Sequence, residues 1–486
     1  MVQDFPRYDN LVGNGDTSLP EQCASPLTLQ HPIEDAERFV RQILLMLFTS
    51  GNSPKFIIFT FENTYLPLIR VFRLVKQRNC FTMTTLQDIN DKIEEFKPVV
   101  ISSLKEISEL DITCKSIIEQ QLNNTNLLNA TSIIKIQAVI DYMYEHVNIG
   151  NWKEVRLYLR KTITIASYVR LLGHLKCSTH LTNDVIKEGL KIIDFGILFG
   201  CPTETEPTLL QDCASYLHNA LTPDDLKPEG NIQTGLTSDM ELQNKSFNCT
   251  VLDVIDCPSM ETFLKNYILA EKPVVLDNCI NHWPALTKWQ DQNYFIKLAG
   301  LRTVSIELGR DYTDSNWTQK LMTLEDFIRN HIFAEGGTTG YLAQYQLFDQ
   351  IPELKNDIIE PEYCCFSEED EDEHIDIMAW YGPKGTLSPL HHDPKKNLLA
   401  QVVGEKQIFL FSPEDSVYLY PHEHELLNNT ARIDPRNPDF RKFPMYKEAK
   451  GYCCVLRSGQ MLYIPPKWWH FVESLSVSFS VSFWWE

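Results

Sequence analysis

"SVSFSVSFWW", residues 476–485, alternates without a break. Serine holds positions 476, 478, 480 and 482, while Val477, Phe479, Val481 and Phe483 fill the gaps. Side chains two apart on a strand share a face, so this segment is a strand with one packed side and one small, polar side. Upstream sequence supplies its neighbours. From about residue 250, short apolar runs recur between turns: "KPVVLDN", "TVSIEL", "IDIMAWYG", "NLLAQVVG", "KQIFLFS", "GYCCVL" and "QMLYIP". Many short strands at this spacing predict a β-sandwich or barrel.

The first half has a different texture. "IEDAERFVRQILLMLF", "TTLQDINDKIEEFKPVVISSLKEI", "ATSIIKIQAVIDYMYEHV" and "NWKEVRLYLRKTITIASYVRLLGHL" space apolar residues by three and four, the period of amphipathic helices. His174 and His180, near a helix end, read as surface or hydrogen-bonded histidines rather than ligands. Residues 203–249 shift towards Pro, Thr, Asp and Gly and read as a linker. The expected layout is a flexible 1–30, a helical domain over 31–202, the linker 203–249 and a β-rich domain over 250–486, an α+β chain overall.

A chain of 486 residues, 43% hydrophobic and 11% aromatic, has ample material for two globular cores. Its greasiest stretch, "ILLMLF" at 43–48, is too short to span a bilayer, and the polar "MVQDFPRYDN" is unlike a signal peptide. A soluble intracellular protein without membrane partners is expected. The 13 cysteines include no CxxC pair, which favours reduced thiols over a disulfide framework. Net charge is −21, and residues 231–486 carry 22 Lys/Arg against 37 Asp/Glu. Such a surface argues against direct nucleic-acid binding and would draw a basic partner, ribosomal, histone or otherwise chromatin-associated.

"SPLHHDPKKN", residues 388–397, holds the candidate chemistry. Strand parity points His391 and Asp393 together and His392 away. "YIPPKWWHFV" supplies His470 where a strand resumes after two prolines. Two histidines and one carboxylate match the facial triad of non-haem iron(II) oxygenases, which leaves positions open for a chelating co-substrate and dioxygen. Alone, an H-x-D is weak. Lys406 strengthens it, because a lysine pointing inward from the apolar run "KQIFLFS" would need a carboxylate, and the distal carboxylate of 2-oxoglutarate fits. Ser388 and Asn397 flank the triad as hydroxyl and amide donors or as plain turn and strand-start residues. His422-x-His424 and the acidic run 368–373 read as exposed loops, the latter lacking the glycine and spacing of an EF-hand.

These residues are familiar in combination. Residues 250–486 closely resemble the JmjC family of 2-oxoglutarate oxygenases through "PVVLDNCINHWPA", "ELGRDYTDSNWTQKLMT", "GYLAQYQLFDQIPEL", "GTLSPLHHDPKKN", "NPDFRKFP" and "SFSVSFWW". The resemblance is strongest to a branch associated with arginyl hydroxylation, lysine demethylation and peptidase activity. It implies a double-stranded β-helix (a cupin-like barrel), iron(II) on His391, Asp393 and His470, and dioxygen as oxidant. It also implies 2-oxoglutarate contacts from Tyr341, Ser388, Asn397, Lys406 and Trp484, and substrate contacts from Glu307 and Trp317. Trp484 shares parity with the serines, so the serine side is expected to face the cavity.

The sequence departs from the family pattern at His392, Lys395 and Lys396, where glutamines are expected, and at Arg310, one position early. The two lysines are expected to alter the approach of a cationic substrate. Hydroxylation of arginine in a basic protein is the leading expectation, in the nucleus with the cytoplasm also open. Demethylation of histone methyl-lysine, histone-tail peptidase activity and a non-catalytic chromatin scaffold are the alternatives.

Overall fold

A computed structural model describes residues 85–125, 128–150, 154–221, 249–333, 337–366, 375–423 and 427–486. The expected 1–30 tail, the helix over 33–48, most of the linker, the acidic run and His424 lie outside these residues.

The amino-terminal part is a helical array whose core uses the predicted periodicity. "ATSIIKIQAVIDYMYEHV" is the helix Ala130–Val147, started by Asn129, whose side chain accepts from the Ser132 N–H. Leu157–Cys177 is the central helix and is buried along most of its length. Asn183–Phe199 packs beside it, capped by Thr182. Gly196 makes that approach possible: an added Cβ would lie 2.6 Å from atoms of both Ser167 and Leu210. The expected linker is not bare. Its stretch Leu209–His218 is a helix that buries Leu209, Leu210, Cys213, Ala214 and Leu217 in the same core. Their spacing is helical, but the flanking Pro and Thr residues masked it.

All eight predicted β-runs are strands, and they form two sheets. The smaller has the order Thr250–Val251, Gly451–Arg457, Glu405–Phe411, Trp469–Ser474, Leu387–His392. The larger runs Val254–Asp256, Val274–Asp277, Met461–Ile464, Lys396–Val403, Ser478–Trp485, Asp376–Gly382, Gly340–Tyr345, Thr303–Leu308, Thr318–Thr323. The last of these, "TQKLMT", is a largely exposed edge whose polar text carries no strand signal. Gly404 turns the chain from one sheet to the other at φ +75, and a Cβ there would sit 2.0 Å from the Val477 carbonyl.

The Val/Phe side of the opening segment faces outward from the barrel. Phe479, Val481 and Phe483 join Trp289, Phe295, Phe327 and Phe348 in a core between the large sheet and its covering helices. Each such side chain contributes about 2 kcal/mol on burial. Phe409, Phe411, Trp469 and Phe471 pack outward from the small sheet beneath the 412–449 segment. Leu399, Ile408, Leu456, Leu462 and Ile464 fill part of the space between the sheets.

A buried polar cluster joins the helical array to the barrel. Asp194, on the helix Asn183–Phe199, is fully buried and lies 2.7 Å from Arg302. It also accepts from the Thr303 N–H at 2.6 Å and from Gln350 Nε2 at 2.8 Å. Arg302 also donates from Nη2 to the Gln350 carbonyl.

Candidate active site

His391 and His470 stand directly opposite each other on neighbouring strands of the small sheet, their rings 4.2 Å apart. Asp393 follows where the strand Leu387–His392 ends. Its Oδ2 lies 3.9 Å from His391 Nε2 and 3.6 Å from His470 Nε2. Among the described residues this is the single cluster of three or more potential metal ligands.

The backbone sets the histidine tautomers. His391 Nδ1 lies 2.7 Å from the Pro389 carbonyl and His470 Nδ1 3.0 Å from the Trp468 carbonyl. A carbonyl only accepts, so each Nδ1 carries the proton and donates, which leaves each Nε2 lone pair aimed at Asp393. Burial, with His391 adding to it, pushes His470 down to about 4, so its ring is neutral near pH 7. His392 points away, as parity demands, and packs edge-on against Trp469 at 4.6 Å.

The other predicted residues gather around one cavity. Tyr341, Ser388, Asn397, Lys406 and Trp484 line it together with the triad, Trp380, Leu399, Ile464, Val472 and Ser482. Ser482 and Trp484 lie on the cavity side of the last strand, the side parity assigned to them. Lys406 is 1% exposed, and its nearest polar partner is the Tyr341 hydroxyl at 3.3 Å. No carboxylate among the described residues pairs with it, and burial pushes it down to about 7.

Glu307 and Trp317 meet at a separate edge of the site. Trp317 Nε1 donates to Glu307 Oε2 at 3.1 Å, and Glu307 sits beside Tyr341 in the sheet. Burial raises Glu307 to about 7, a shift the indole hydrogen bond only partly opposes. Sequence reasoning missed two residues here. Trp380 was legible, because it alternates with the outward Ala379 and Tyr381 and so must face the cavity. Tyr312 was not. It sits in the loop after Glu307 with no periodicity, and its hydroxyl reaches Thr430 Oγ1 at 3.3 Å.

Lys395 takes up a position unlike the expected one. Rather than lining the approach, it is buried against Asp376 and Glu486, each 3.2 Å away. Lys396 is buried as well, on the outward parity.

Comparison with known proteins fits this geometry. The cupin-like domain family matches residues 260–486. Over 394 residues the chain is 39% identical to lysine-specific demethylase 8 of Xenopus tropicalis, covering 72% of this chain and 87% of that protein. The Danio rerio protein of the same name is 42% identical over 358 residues, with the same shares. Jumonji C domain-containing protein 5 of Drosophila melanogaster is 42% identical over 363 residues, covering 72% of this chain and 86% of that protein. The chain belongs to the cupin-like JmjC family.

JmjC oxygenases use iron(II) and 2-oxoglutarate, and the residues present suit both. Asp393 Oδ2 is buried without a hydrogen-bond partner, between two imidazole lone pairs. A divalent cation satisfies all three, and two nitrogens with one oxygen are a suitable set for iron(II). Trp484 Nε1, a donor, is likewise buried and unpartnered, Lys406 is a buried cation, and the Asn397 amide, whose Oδ1 is unpartnered, offers an N–H donor when turned end for end. A dicarboxylate matches that set of polar groups. No helix among the described residues is long and apolar enough to cross a membrane.

Proposed function

We propose that this JmjC oxygenase hydroxylates an arginine side chain in a basic protein of the nucleus, ribosomal, histone or otherwise chromatin-associated. The observation that carries this reading is Glu307: a half-buried carboxylate at the edge of the site, hydrogen-bonded by Trp317, with no cationic partner among the described residues. A planar guanidinium offers paired N–H donors to a carboxylate, with the indole face available for stacking. The acidic balance of residues 231–486 favours encounter with a basic chain.

In this reading His391, Asp393 and His470 hold iron(II), with both Nδ1–H groups anchored so that the rings cannot turn. Lys406 and the Tyr341 hydroxyl receive the distal carboxylate of 2-oxoglutarate, while Ser388, Asn397 and Trp484 hold its length. With iron(II), 2-oxoglutarate and dioxygen bound, the centre would supply an oxidation that places one oxygen atom on the substrate carbon and converts 2-oxoglutarate to succinate and carbon dioxide with the other. Leu399, Ile464 and Val472 exclude water from the reacting atoms.

The test is Glu307→Gln, which keeps shape and removes charge. Arginine-peptide hydroxylation, read as a single added oxygen by mass spectrometry, falls by about two orders of magnitude. Uncoupled 2-oxoglutarate turnover without peptide persists. Normal arginine hydroxylation by the variant sinks the reading.

Methyl-lysine demethylation is the second reading, favoured by the printed names of two relatives and by the aromatic residues Tyr312, Trp317 and Trp380 near the site. Methyl-lysine peptides outperforming arginine peptides in the unmodified protein would put it first.

A further inference from the structure

We infer that Lys395 is a positioning residue for the 2-oxoglutarate pocket, acting through an ion cluster that ties three strand ends together behind Trp484. The inference rests on the reading of Asn397 and Trp484 as co-substrate contacts.

The registers place the cluster. In the large sheet Trp484 pairs with Asn397 on one side and Asp376 on the other, and Trp485 pairs with Lys396. Lys395 is the residue immediately before one strand, Asp376 opens the second, and Glu486 follows the third. The Lys395 ammonium is 3.2 Å from Asp376 Oδ2 and 3.2 Å from Glu486 Oε1. Its side chain is only 7% exposed, and that of Asp376 14%. Partly buried ion pairs are weakly screened, so this nitrogen is the bolt at the end of three adjacent strands. The two groups presented there, Asn397 Oδ1 and Trp484 Nε1, have no internal hydrogen bond to hold them in place. Their aim is therefore set by the backbone that carries them, and that backbone is fastened by Lys395.

Removing the ammonium leaves two carboxylates that had shared one nitrogen. Their repulsion parts the strand carrying Trp484 from its neighbours at this end, and the pocket loses its preorganisation. The triad is borne by other strand ends and stays in place.

The decisive measurement is calorimetric titration of 2-oxoglutarate into the Mn(II)-loaded full chain, compared with Lys395→Met. The Kd for 2-oxoglutarate rises about tenfold, the scale of one lost hydrogen bond to a charged group. Mn(II) affinity and kcat at saturating co-substrate stay within twofold. The double variant Lys395→Met/Asp376→Leu removes the repulsion and recovers most of the affinity, which also covers the case in which the single variant folds poorly. Asn397→Ala is run alongside. If it weakens 2-oxoglutarate binding while Lys395→Met leaves Kd within twofold, the inference about Lys395 fails and the pocket reading stands. If neither variant moves Kd, the pocket reading itself fails. Loss of Mn(II) binding in Lys395→Met also overturns the inference, since the cluster would then be holding the triad.

Discussion

Two of the cations buried among the described residues, Arg302 and Lys406, are treated in opposite ways. Arg302, at the seam between the helices and the barrel, has its charge met by Asp194 at 2.7 Å and donates a further hydrogen bond to the Gln350 carbonyl. Lys406, in the barrel, has one phenol oxygen at 3.3 Å and no carboxylate among the described residues. A buried polar group that is fully satisfied from within is scaffold. One left incomplete is shaped for something that arrives later.

The largest effect expected concerns the gap between the two histidines. His391→Ala abolishes iron-dependent turnover and lowers iron binding, read by anaerobic titration of the visible charge-transfer band with 2-oxoglutarate. Next comes the contrast of the cations. Lys406→Met raises the 2-oxoglutarate Kd by about two to three orders of magnitude, the scale of a partner lost from a buried charge pair. Its melting temperature holds or rises, because an uncompensated buried charge is gone. Arg302→Met does the reverse: it strands Asp194, costs about 3–5 kcal/mol of stability and leaves the 2-oxoglutarate Kd of the folded protein unchanged. Chemical denaturation and calorimetry on both variants check the pair. If the two lose stability alike, the distinction between satisfied and waiting cations collapses.

A smaller effect is set by pH. In the free protein burial holds Lys406 down to about 7. The co-substrate dianion needs the ammonium, so above pH 7 binding must take up a proton and the Kd climbs towards tenfold per pH unit. Glu307, raised to about 7 by burial, works the other way: it pairs with guanidinium only once ionised, so arginine-peptide binding improves as pH rises through 7. Opposed slopes for the two ligands, measured separately, are the expected signature. The smallest effect is His392→Ala, which leaves most turnover intact because that ring packs outward on Trp469.

Most of the barrel was legible because its strands alternate. "SVSFSVSFWW" declares both faces, and H-x-D declares which histidine turns inward. What stayed hidden lacks a period. Arg302 and Asp194 are 108 residues apart, and nothing local marks either as the other's partner. Tyr312 sits in a loop, where side-chain direction follows turn geometry rather than alternation. Lys395 was legible as a departure from the family pattern but not as to its direction, since its two carboxylates come from other strand ends.

Gly404 has a consequence for how this gene can vary. Asn397 and Lys406 hang from one continuous ribbon, in different sheets, with that single residue as the corner between them. Deleting or inserting one residue between 397 and 406 reverses the facing of whichever strand absorbs the slip, turning a pocket residue outward and an outward phenylalanine in. Point substitutions at outward positions cost only packing. A library of single-codon insertions and deletions across 388–411, sorted for 2-oxoglutarate binding, should therefore be almost empty, while a substitution library of the same span stays populated at its outward positions.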